Sequence, residues 1–501
     1  MSTAGVDQGK INLLSFTGKM RTLHITWFAF FISFVVWFNM APLMGYIRET
    51  LELTNQEVKL LLILNVALTI PARIIIGMLV DKYGPRIMYS MLLAISSILC
   101  LLFAFADSFE AMAILRFMLG FVGAGFVIGI RLVAEWFPAK QVGTAEGIYG
   151  GWGNFGSAAA AMSLPVIALW FGGDDGWRWA IASTGIIALV YSFIFYFSVS
   201  NNPKGTTYFK PKQMGAMEVT SKGDFYLYCI MSLPLYLTLA LLAWKMSPTN
   251  LGLFNTMETG IIYMGLATIY AYQVFQIFRI NKELFAANAK PVAEIHRYKF
   301  KQVAVLDLAY LVTFGSELAV VSMLPLFFFD TFKETQGLTI AMASLLASGY
   351  AFMNLVSRAS GGIISDKYGR RKTMLILLTG LAIGYFLMGM IDSSWSLVLA
   401  VAVCMGCSFF VQAGEGAVFA MVPLVKRRMT GQIAGMAGAY GNVGAVCFLT
   451  VLSFVSPQAF FMTIGAAALV TLAIVFFFLD EPKGYMYEAL EDGTVEKIEL
   501  H

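Results

Sequence analysis

The sequence carries little charge for its length. Only 13% of its 501 residues are Asp, Glu, Lys or Arg, and 58% are hydrophobic, with a mean hydropathy of +0.74. An ordinary soluble domain has about 25% charged and roughly 45–50% apolar residues. The excess of apolar side chains indicates burial in a lipid bilayer, which excludes a soluble protein, and nothing in the composition indicates a nucleic-acid partner.

Cysteine and histidine are also scarce. The five cysteines all fall inside apolar runs, where they behave as small hydrophobic residues, and the Cys404–Cys407 spacing is more typical of helix packing than of redox or metal chemistry. His24, His296 and His501 lie outside the predicted spans, which argues against a histidine proton relay. We find no P-loop, metal-ligand cluster or nucleophile constellation. The sequence therefore predicts neither an enzyme nor a cofactor or metal.

Long apolar runs recur along the whole chain. A helix needs about 20 apolar residues to cross a hydrocarbon core. Fourteen segments meet this requirement, near residues 25–46, 56–80, 87–106, 111–137, 142–171, 177–200, 224–246, 257–279, 303–330, 338–365, 372–391, 395–424, 430–454 and 459–479. We therefore predict an all-α polytopic membrane protein.

Lysine and arginine alternate between the two sides of this predicted topology. Basic residues precede the first span and follow the second, fourth and sixth, whereas the opposite loops are acidic or neutral on balance. The positive-inside rule places the basic side in the cytoplasm. We therefore expect both termini to be cytoplasmic in a multi-pass protein of the cytoplasmic (inner) membrane.

Two segments of the chain repeat each other in the same register. Both contain D-K-Y-G, and Arg73 lies 285 residues before Arg358, as Asp81 does before Asp366 (358 − 73 and 366 − 81). A second pair, Asn154 in GWGNFG and Asn442 in AYGNVG, is 288 residues apart (442 − 154). Parallel repeats of this kind are the hallmark of one large class of secondary transporter.

The repeat divides the chain into two six-helix halves with two additional helices between them. This plan, together with the D-K-Y-G-x-R loops, resembles the major facilitator superfamily. The predicted units are a cytoplasmic N-terminus (1–24), an N-terminal bundle (25–200), a linker with the two extra helices (201–302), a C-terminal bundle (303–480) and a cytoplasmic tail (481–501). Asp81 and Asp366, with nearby arginines, are expected to form ionic contacts that hold one face closed.

An arginine inside a membrane helix is costly and marks a functional position by default. Arg73 and Arg358 each lie eight residues before the aspartate of their loop, about 12 Å along a helix. Parallel repetition directs both guanidinium groups towards the central axis, where they form a site for an anion, and the planar fork of arginine suits a planar oxyanion. The alternative is that each arginine extends to the cytoplasmic surface or pairs with a buried carboxylate.

Glycine is concentrated around the two asparagines. Six glycines surround Asn154 between Gly143 and Gly156, and five surround Asn442 between Gly431 and Gly444. Each costs about 1 kcal/mol of helix propensity relative to alanine. They serve either close packing of small residues between helices or a bare backbone that approaches a small substrate.

These glycine-rich stretches and the paired arginines resemble the nitrate/nitrite porter family of the major facilitator superfamily. The resemblance covers roughly residues 25–200 and 303–480. It implies that nitrate and nitrite are the substrates and that Arg73 and Arg358 grip the anion. The remaining implied contacts are the two asparagines with their backbone neighbours, an aromatic wall and a hydroxyl: Asn154, Asn442, Gly153, Gly441, Phe126 and Tyr310.

Several residues depart from the family pattern, and they bear on coupling. Arg131 and Glu135 in the fourth span, Tyr149 and Glu415, and Glu317 in the seventh span of the twelve stand where the family usually has other residue types. Without a titratable partner the site favours nitrate/nitrite exchange, whereas a carboxylate in the pathway allows nitrate:proton symport. Glu317 lies near mid-membrane and is a candidate proton carrier; the alternative is a hydrogen-bonded neutral acid or a structural partner of an arginine.

Other charged residues suggest gates. Arg131 and Glu135 have the i,i+4 spacing of a structural or gate ion pair, and Glu146 is predicted to reach Arg370 and Arg371 as a cytoplasmic latch. The alternatives to a nitrate/nitrite carrier are a carrier for another small anion or organic acid, or, in a different class, a membrane sensor or channel. The partners expected are the lipid bilayer, nitrate, nitrite and, for symport, protons; we expect a monomer.

Overall fold

The computed structural model describes residues 11–137, 139–172, 175–205, 216–286, 297–426, 429–482, 485–489 and 495–499. The N-terminal half contains α1 (Gly18–Phe38), α2 (Met44–Thr50), α3 (Asn55–Ala67), α4 (Thr69–Tyr83), α5 (Pro85–Ala104), α6 (Phe109–Leu119), α7 (Gly125–Trp136), α8 (Ala139–Phe171) and α9 (Gly176–Ser198). Then follow α10 (Lys222–Met246) and α11 (Thr256–Asn281). The C-terminal half contains α12 (Phe300–Gln336), α13 (Ile340–Phe352), α14 (Asn354–Tyr368), α15 (Arg370–Met388), α16 (Leu397–Val425), α17 (Thr430–Leu452) and α18 (Pro457–Phe478).

Short 3₁₀ turns at Ala41–Leu43, Gly120–Ala124 and Lys282–Phe285 follow α1, α6 and α11. Within the described ranges, fourteen helical segments are long and apolar enough to cross a membrane. Four of them combine two helices: α1 with α2, α3 with α4, α6 with α7, and α13 with α14. The predicted number and order of spans are confirmed.

The ends of the chain differ from the prediction in two places. Helix α1 begins at Gly18, so His24 lies inside the first span and is buried, contrary to our expectation. In the first turn of this helix, Lys19 Nζ donates to Gln141 Oε1 of α8 at 3.0 Å. The tail adds a hairpin to an otherwise helical protein, in which β1 (Tyr485–Ala489) pairs antiparallel with β2 (Val495–Glu499).

The two halves meet along glycine-rich helices. Helix α8 packs against α13 and α14 of the opposite half, and α17 packs against α3 and α4. A Cβ added at Gly151 on α8 would lie 2.6 Å from the Asn354 carbonyl oxygen of α14, so only glycine permits this approach. The glycine-rich patches therefore serve close helix packing across the interface, one of the two roles expected for them.

The end of the molecule near α2 joins the halves through polar contacts. Arg48 on α2 pairs with Asp330 on α12 at 3.3 Å, and Ser344 on α13 donates a hydrogen bond of 3.1 Å to the Pro42 carbonyl. This is the end opposite to the loops at Gly84 and Gly369. Polar contacts therefore connect the two halves on the side predicted to face outward.

The repeated loops turn at Gly84 (φ +88°) and Gly369 (φ +97°), in the left-handed region that favours glycine. A side chain from the end of each half then caps the following helix. Asn201 Oδ1 accepts from the Arg86 N–H at 2.9 Å, and Glu481 accepts from the N–H groups of Arg370 and Arg371 at 2.8 and 2.7 Å. The two halves thus repeat the turn and its cap.

Helices α10 and α11 lie on the C-terminal half. Helix α10 packs against α12 and α17, and the Tyr440 hydroxyl of α17 donates to the Met231 carbonyl of α10 at 2.6 Å. Helix α11 packs mainly on α10 and leaves most of its apolar surface exposed. The inserted pair therefore packs mainly on the C-terminal half, and α10 also reaches α3 of the N-terminal half, where Lys245 Nζ donates to Gln56 Oε1 at 3.3 Å.

Candidate functional site

Arg73 on α4 is completely buried and reaches across the interface. Its Nη1 donates to the Gly438 carbonyl of α17 at 2.6 Å, and its Nε donates to the Gly123 carbonyl at 3.3 Å. Its Nη2 has no hydrogen-bond acceptor among the described residues. An unsatisfied charged donor at this depth is costly, so the position is suited to an incoming acceptor.

Arg358 on α14 is 2% exposed and has several partners. Its Nη2 donates to the Tyr310 hydroxyl at 2.9 Å, and its Nη1 is ion-paired with Glu415 of α16. With the Asn154 amide oriented to satisfy both of its polar atoms, Asn154 Oδ1 accepts from Arg358 Nη1 at 2.7 Å and Nδ2 donates to the Gly150 carbonyl at 3.2 Å. Arg358 is thus held by residues of both halves.

Two phenylalanine rings are shared by both arginines. Arg73 Cζ lies 5.2 Å from the Phe126 ring centroid and 5.0 Å from that of Phe314. For Arg358 the corresponding distances are 5.6 and 5.8 Å. The predicted convergence of the guanidinium groups on one central place is therefore present, between walls of low polarity that strengthen electrostatic attraction.

The surroundings of the arginines follow the internal repeat. Gly150 and Gly438 are equivalent by the 288-residue offset, and each lies against the arginine of the opposite half: an added Cβ would be 2.8 Å from Arg358 Nε and 3.0 Å from Arg73 Nη1. Asn442 Nδ2 donates to the Gly438 carbonyl at 3.1 Å, as Asn154 does to Gly150. Asn442 Oδ1, unlike Asn154 Oδ1, has no donor in the described part of the chain.

The two halves differ in the charged residues that surround their arginines. At the 285-residue offset the position equivalent to Glu415 is Ile130 (415 − 130), so α7 supplies no carboxylate to Arg73. Glu317 on α12 also lies at this level, where its Oε1 accepts from Asn354 Nδ2 at 2.5 Å and from Gln412 Nε2 at 3.5 Å. Two carboxyl groups therefore adjoin Arg358, and the alternative of a buried carboxylate partner applies to this arginine.

Gly153 and Gly441 face aromatic side chains rather than the arginines, and their assignment to the substrate site stays a prediction. An added Cβ at Gly153 would collide with the Phe30 side chain, and one at Gly441 would lie 2.6 Å from the Phe314 ring and 3.0 Å from the Tyr310 ring. Three residues separate them from Gly150 and Gly438, which is almost one helical turn but leaves them about 60° apart around the axis. The bare backbone near the arginines therefore belongs to Gly150 and Gly438.

Glu146 lies in a cavity rather than at the loop. It lines a recess with Phe126, Gly147, Arg358, Ala359 and Phe419, which extends from Arg358 towards the end of α14. Its Oε1 has no hydrogen-bond donor within the described ranges, whereas the N–H groups of Arg370 and Arg371 are held by Glu481. Glu481 thus caps the helix at this loop, and the latch between Glu146 and the side chains of Arg370 and Arg371 stays a prediction.

Of the remaining gate candidates, the structure describes one ion pair and leaves two aspartates undescribed. Arg131 and Glu135 form the expected i,i+4 ion pair at 2.7 Å on the last turns of α7. The side chains of Asp81 and Asp366 lie outside the described residues, so their ionic contacts stay predictions.

Several residues at the site were not predicted. Phe314, Gly438, Asn354 and Gln412 carry no signal that separates them from packing residues, although Asn354 precedes Arg358 by one helical turn. Glu415 was recognised as unusual but was not assigned to the site. Its place three residues from Gln412 on one apolar helix was the available signal, since an intramembrane carboxylate is functional by default.

The arrangement is suited to binding a small anion. Arg73 presents a free donor, Arg358 presents a donor committed to a carboxylate, and aromatic rings flank both. No group of three or more His, Cys, Asp or Glu able to hold a metal ion is found in the part of the chain that the structure describes.

Comparison with known proteins identifies related sequences. The model of the Major Facilitator Superfamily matches residues 26–282 and 306–499. The chain is 48% identical to the nitrate/nitrite transporter NrtP of Picosynechococcus sp., over 96% of each chain. It is 46% identical to NrtP of Nostoc punctiforme, over 97% of this chain and 99% of that protein, and 22% identical to the probable nitrate/nitrite antiporter NarK1 of Thermus thermophilus, over 85% and 83%.

Solved structures show the same architecture. A crystal structure of a D-xylose-proton symporter matches with a TM-score of 0.60 and 14% identity, over 93% of this chain and 99% of that one. The partially occluded inward-open xylose transporter XylE from E. coli matches with a TM-score of 0.59 and 15% identity, over the same shares. At these identities the likeness establishes the fold alone.

Proposed function

Because the chain belongs to the Major Facilitator Superfamily, we propose that it carries nitrate and nitrite across a membrane by alternating access, with the anion bound between Arg73 and Arg358. The observation that carries this proposal is the unsatisfied Arg73 Nη2 at the centre of the interface. The 46–48% identity to nitrate/nitrite transporters supports the choice of anion.

The geometry supports a planar oxyanion of small size. Phe126 and Phe314 lie 5.0–5.8 Å from both guanidinium carbons, so an anion between the arginines is bounded by ring surfaces. Nitrate and nitrite are planar and accept hydrogen bonds in the plane of a guanidinium fork. The hydroxyl of Tyr310 and the amides of Asn154 and Asn442 supply neutral polar contacts beside the charges.

The contacts of the two arginines support alternating access, because each arginine is bonded to a residue of the opposite half. Arg73 belongs to the N-terminal half and its carbonyl acceptor, Gly438, to the C-terminal half. Arg358 belongs to the C-terminal half and is bonded to Asn154 of the other. When the halves rock apart, these cross-interface bonds are exchanged for water or anion, so that substrate binding and closure use the same side chains.

Nitrate counterflow in proteoliposomes tests this function. Vesicles loaded with nitrate and containing the purified chain should take up labelled nitrate, and external nitrite should compete for uptake. Arg73→Ala and Arg358→Ala should abolish counterflow, whereas Arg279→Ala, an exposed arginine on α11, should leave it unchanged. Undiminished counterflow in both site variants would reject the site, and no counterflow in the unaltered protein would reject the function.

We further propose that the protein lies in the cytoplasmic membrane with both termini inside. The basic loops support this orientation through the positive-inside rule. Single cysteines introduced at Lys204 and at Asp392, in loops predicted on opposite sides, test it in a cysteine-free background. A membrane-impermeant maleimide applied to intact cells should label position 392 and not position 204; the reverse pattern would invert the topology.

A further inference from the structure

Glu415 is ion-paired with Arg358 at the centre of the proposed anion site. Neither side chain is more than 2% exposed. Glu415 Oε1 has no hydrogen-bond donor among the residues that the structure describes. A carboxylate here competes directly with an anion, because both accept from the same guanidinium nitrogen.

The fold does not require this carboxylate. At the equivalent position of the N-terminal half stands Ile130, and Arg73 is buried there with main-chain carbonyl partners instead. A buried ion pair is also a weak source of stability, since desolvation offsets much of the attraction. The acid at position 415 therefore calls for a role other than holding the helices together.

Glu317 provides a second carboxyl group beside the first. It comes from α12, is 1% exposed, and lies close to Glu415, because Gln412, three residues before Glu415 on α16, donates to its Oε1 at 3.5 Å. Asn354 and Gln412 donate to its Oε1. Repulsion between two neighbouring carboxylates favours the uptake of one proton by the pair, whereas the positive charges of Arg358 and Arg73 keep both groups ionised while no proton is bound.

We propose that Glu415 couples anion transport to a proton: its protonation releases Arg358, and the anion takes its place on the guanidinium. This inference rests on the proposed function, in which the anion binds between Arg73 and Arg358. The proton comes from the aqueous phase, adds to a Glu415 carboxylate oxygen, and exchanges with Glu317. On the other side the anion leaves, the O–H bond of Glu415 breaks, the proton returns to water, and the Glu415–Arg358 pair forms again.

The charges of the site favour joint transport of the two ions. With both carboxylates ionised, the two arginines are balanced and the empty site is neutral. One proton and one monovalent anion together also leave it neutral, whereas either ion alone leaves one net charge. A net charge in the membrane interior costs a few kcal/mol, so the site changes sides either empty or with both ions.

Other titratable groups near the pair do not take this role. The arginines stay charged and the phenols stay neutral near pH 7, so only the carboxyl groups change state. The titratable groups near the two carboxyl groups, on the elements packed around them, are Arg358 (α14), Tyr310 (α12), Arg73 (α4), Tyr350 (α13) and Tyr385 (α15) on the side of Glu317, and, across the recess, Glu146 (α8). Helix α17 adds the uncharged Asn442 and Gly438 on the Arg73 side.

The test compares Glu415→Gln with the unaltered protein in proteoliposomes. Glutamine keeps the size of the side chain but cannot titrate, so it imitates the protonated state. We expect nitrate/nitrite exchange to continue within about twofold, while nitrate accumulation driven by an inward proton gradient is lost. Glu334→Gln on the exposed end of α12 is the matched control and should retain both activities.

The pH dependence of nitrate affinity gives a second readout. For the unaltered protein, the nitrate Kd should rise with pH by up to about tenfold per unit, because one proton is taken up with the anion. Glu415→Gln should show a flat profile. Nitrate added to the unaltered protein in weakly buffered detergent should make the solution more alkaline, a measurement that needs no variant.

Three results would overturn the inference. They are full gradient-driven accumulation by Glu415→Gln, loss of nitrate binding by a Glu415→Gln protein with an unchanged melting temperature, and nitrate binding by the unaltered protein without proton uptake. In the third case the carrier is an exchanger, and the proposed function stands. Failure of that function has a different signature, since the unaltered protein would then show no nitrate counterflow at all.

Discussion

Arg73 and Gly438 are joined by a hydrogen bond of 2.6 Å that crosses the interface between the two halves. The donor is a guanidinium of α4 and the acceptor is a main-chain carbonyl of α17. A carbonyl neutralises no charge, so Arg73 keeps its positive charge, in contrast to Arg358 beside Glu415. We therefore expect Arg73 to provide most of the electrostatic attraction for an anion.

Replacing Arg73 should affect binding more than replacing Arg358 does. Arg73→Lys keeps the charge but loses the planar fork, and we expect nitrate Kd to rise about tenfold; Arg73→Ala should raise it about 100-fold, as the loss of one or two charge-assisted hydrogen bonds implies. Isothermal titration in detergent measures these values. Equal effects of Arg73→Ala and Arg358→Ala would contradict the asymmetry between the arginines.

Gly438→Ala tests whether the bare backbone beside Arg73 matters. The added Cβ would lie 3.0 Å from Arg73 Nη1 and 3.3 Å from Cδ, so the arginine must move and its bond to the carbonyl weakens. We expect a five- to tenfold rise in the KM for nitrate uptake, roughly 1–1.4 kcal/mol. Gly435→Ala on the same helix is the control, because its Cβ would meet nothing within 4 Å. Similar effects of the two substitutions would show that helix flexibility, not the arginine, is affected.

Glu481 should stabilise the turn between α14 and α15. It accepts from two helix N–H groups, and its counterpart Asn201 accepts from one in the equivalent turn. We expect Glu481→Ala to lower the free energy of unfolding by about 1–2 kcal/mol and Asn201→Ala by about half as much. Thermal melts in detergent measure the order of these losses, and an unchanged melt for Glu481→Ala would exclude the cap.

Asp307 is a buried acid with a predicted cost. It is completely buried on α12, and neither carboxyl oxygen has a hydrogen-bond donor in the described ranges. An amide costs less to bury than an ionised carboxylate, so Asp307→Asn should raise the stability by about 1 kcal/mol or more. Asp330→Asn, at the exposed end of the same helix, should instead lose up to about 1 kcal/mol with its ion pair to Arg48. A lower melting temperature for Asp307→Asn would show instead that the Asp307 carboxyl group has a stabilising partner.

Much of the architecture was predictable from the sequence because its signals are local or repeat in register. Span length and order follow from apolar runs, which a bilayer requires whatever the neighbouring helices are. The convergence of Arg73 and Arg358 followed from their equal offsets, since equivalent positions in parallel repeats face a common axis. The Arg131–Glu135 pair followed from helical spacing alone.

Only the tertiary structure shows which way a residue faces around its helix and which residue it contacts. Gly150 and Gly153 are indistinguishable by composition, and only the position of α14 shows that the first faces Arg358 while the second packs on Phe30. Likewise, the sequence does not show which glutamate contacts the loop at Arg370. In the structure the end of α18 places Glu481 beside it.

The sequence by itself therefore determined a fourteen-span chain of two repeated halves that carry a matched pair of intramembrane arginines, Arg73 and Arg358. Only the tertiary structure decided that Glu415 reaches Arg358 while Arg73 Nη2 has no acceptor among the described residues. Hydropathy and register act along one chain segment at a time, whereas an ion pair between α14 and α16 depends on how two separate helices are rotated and packed against each other.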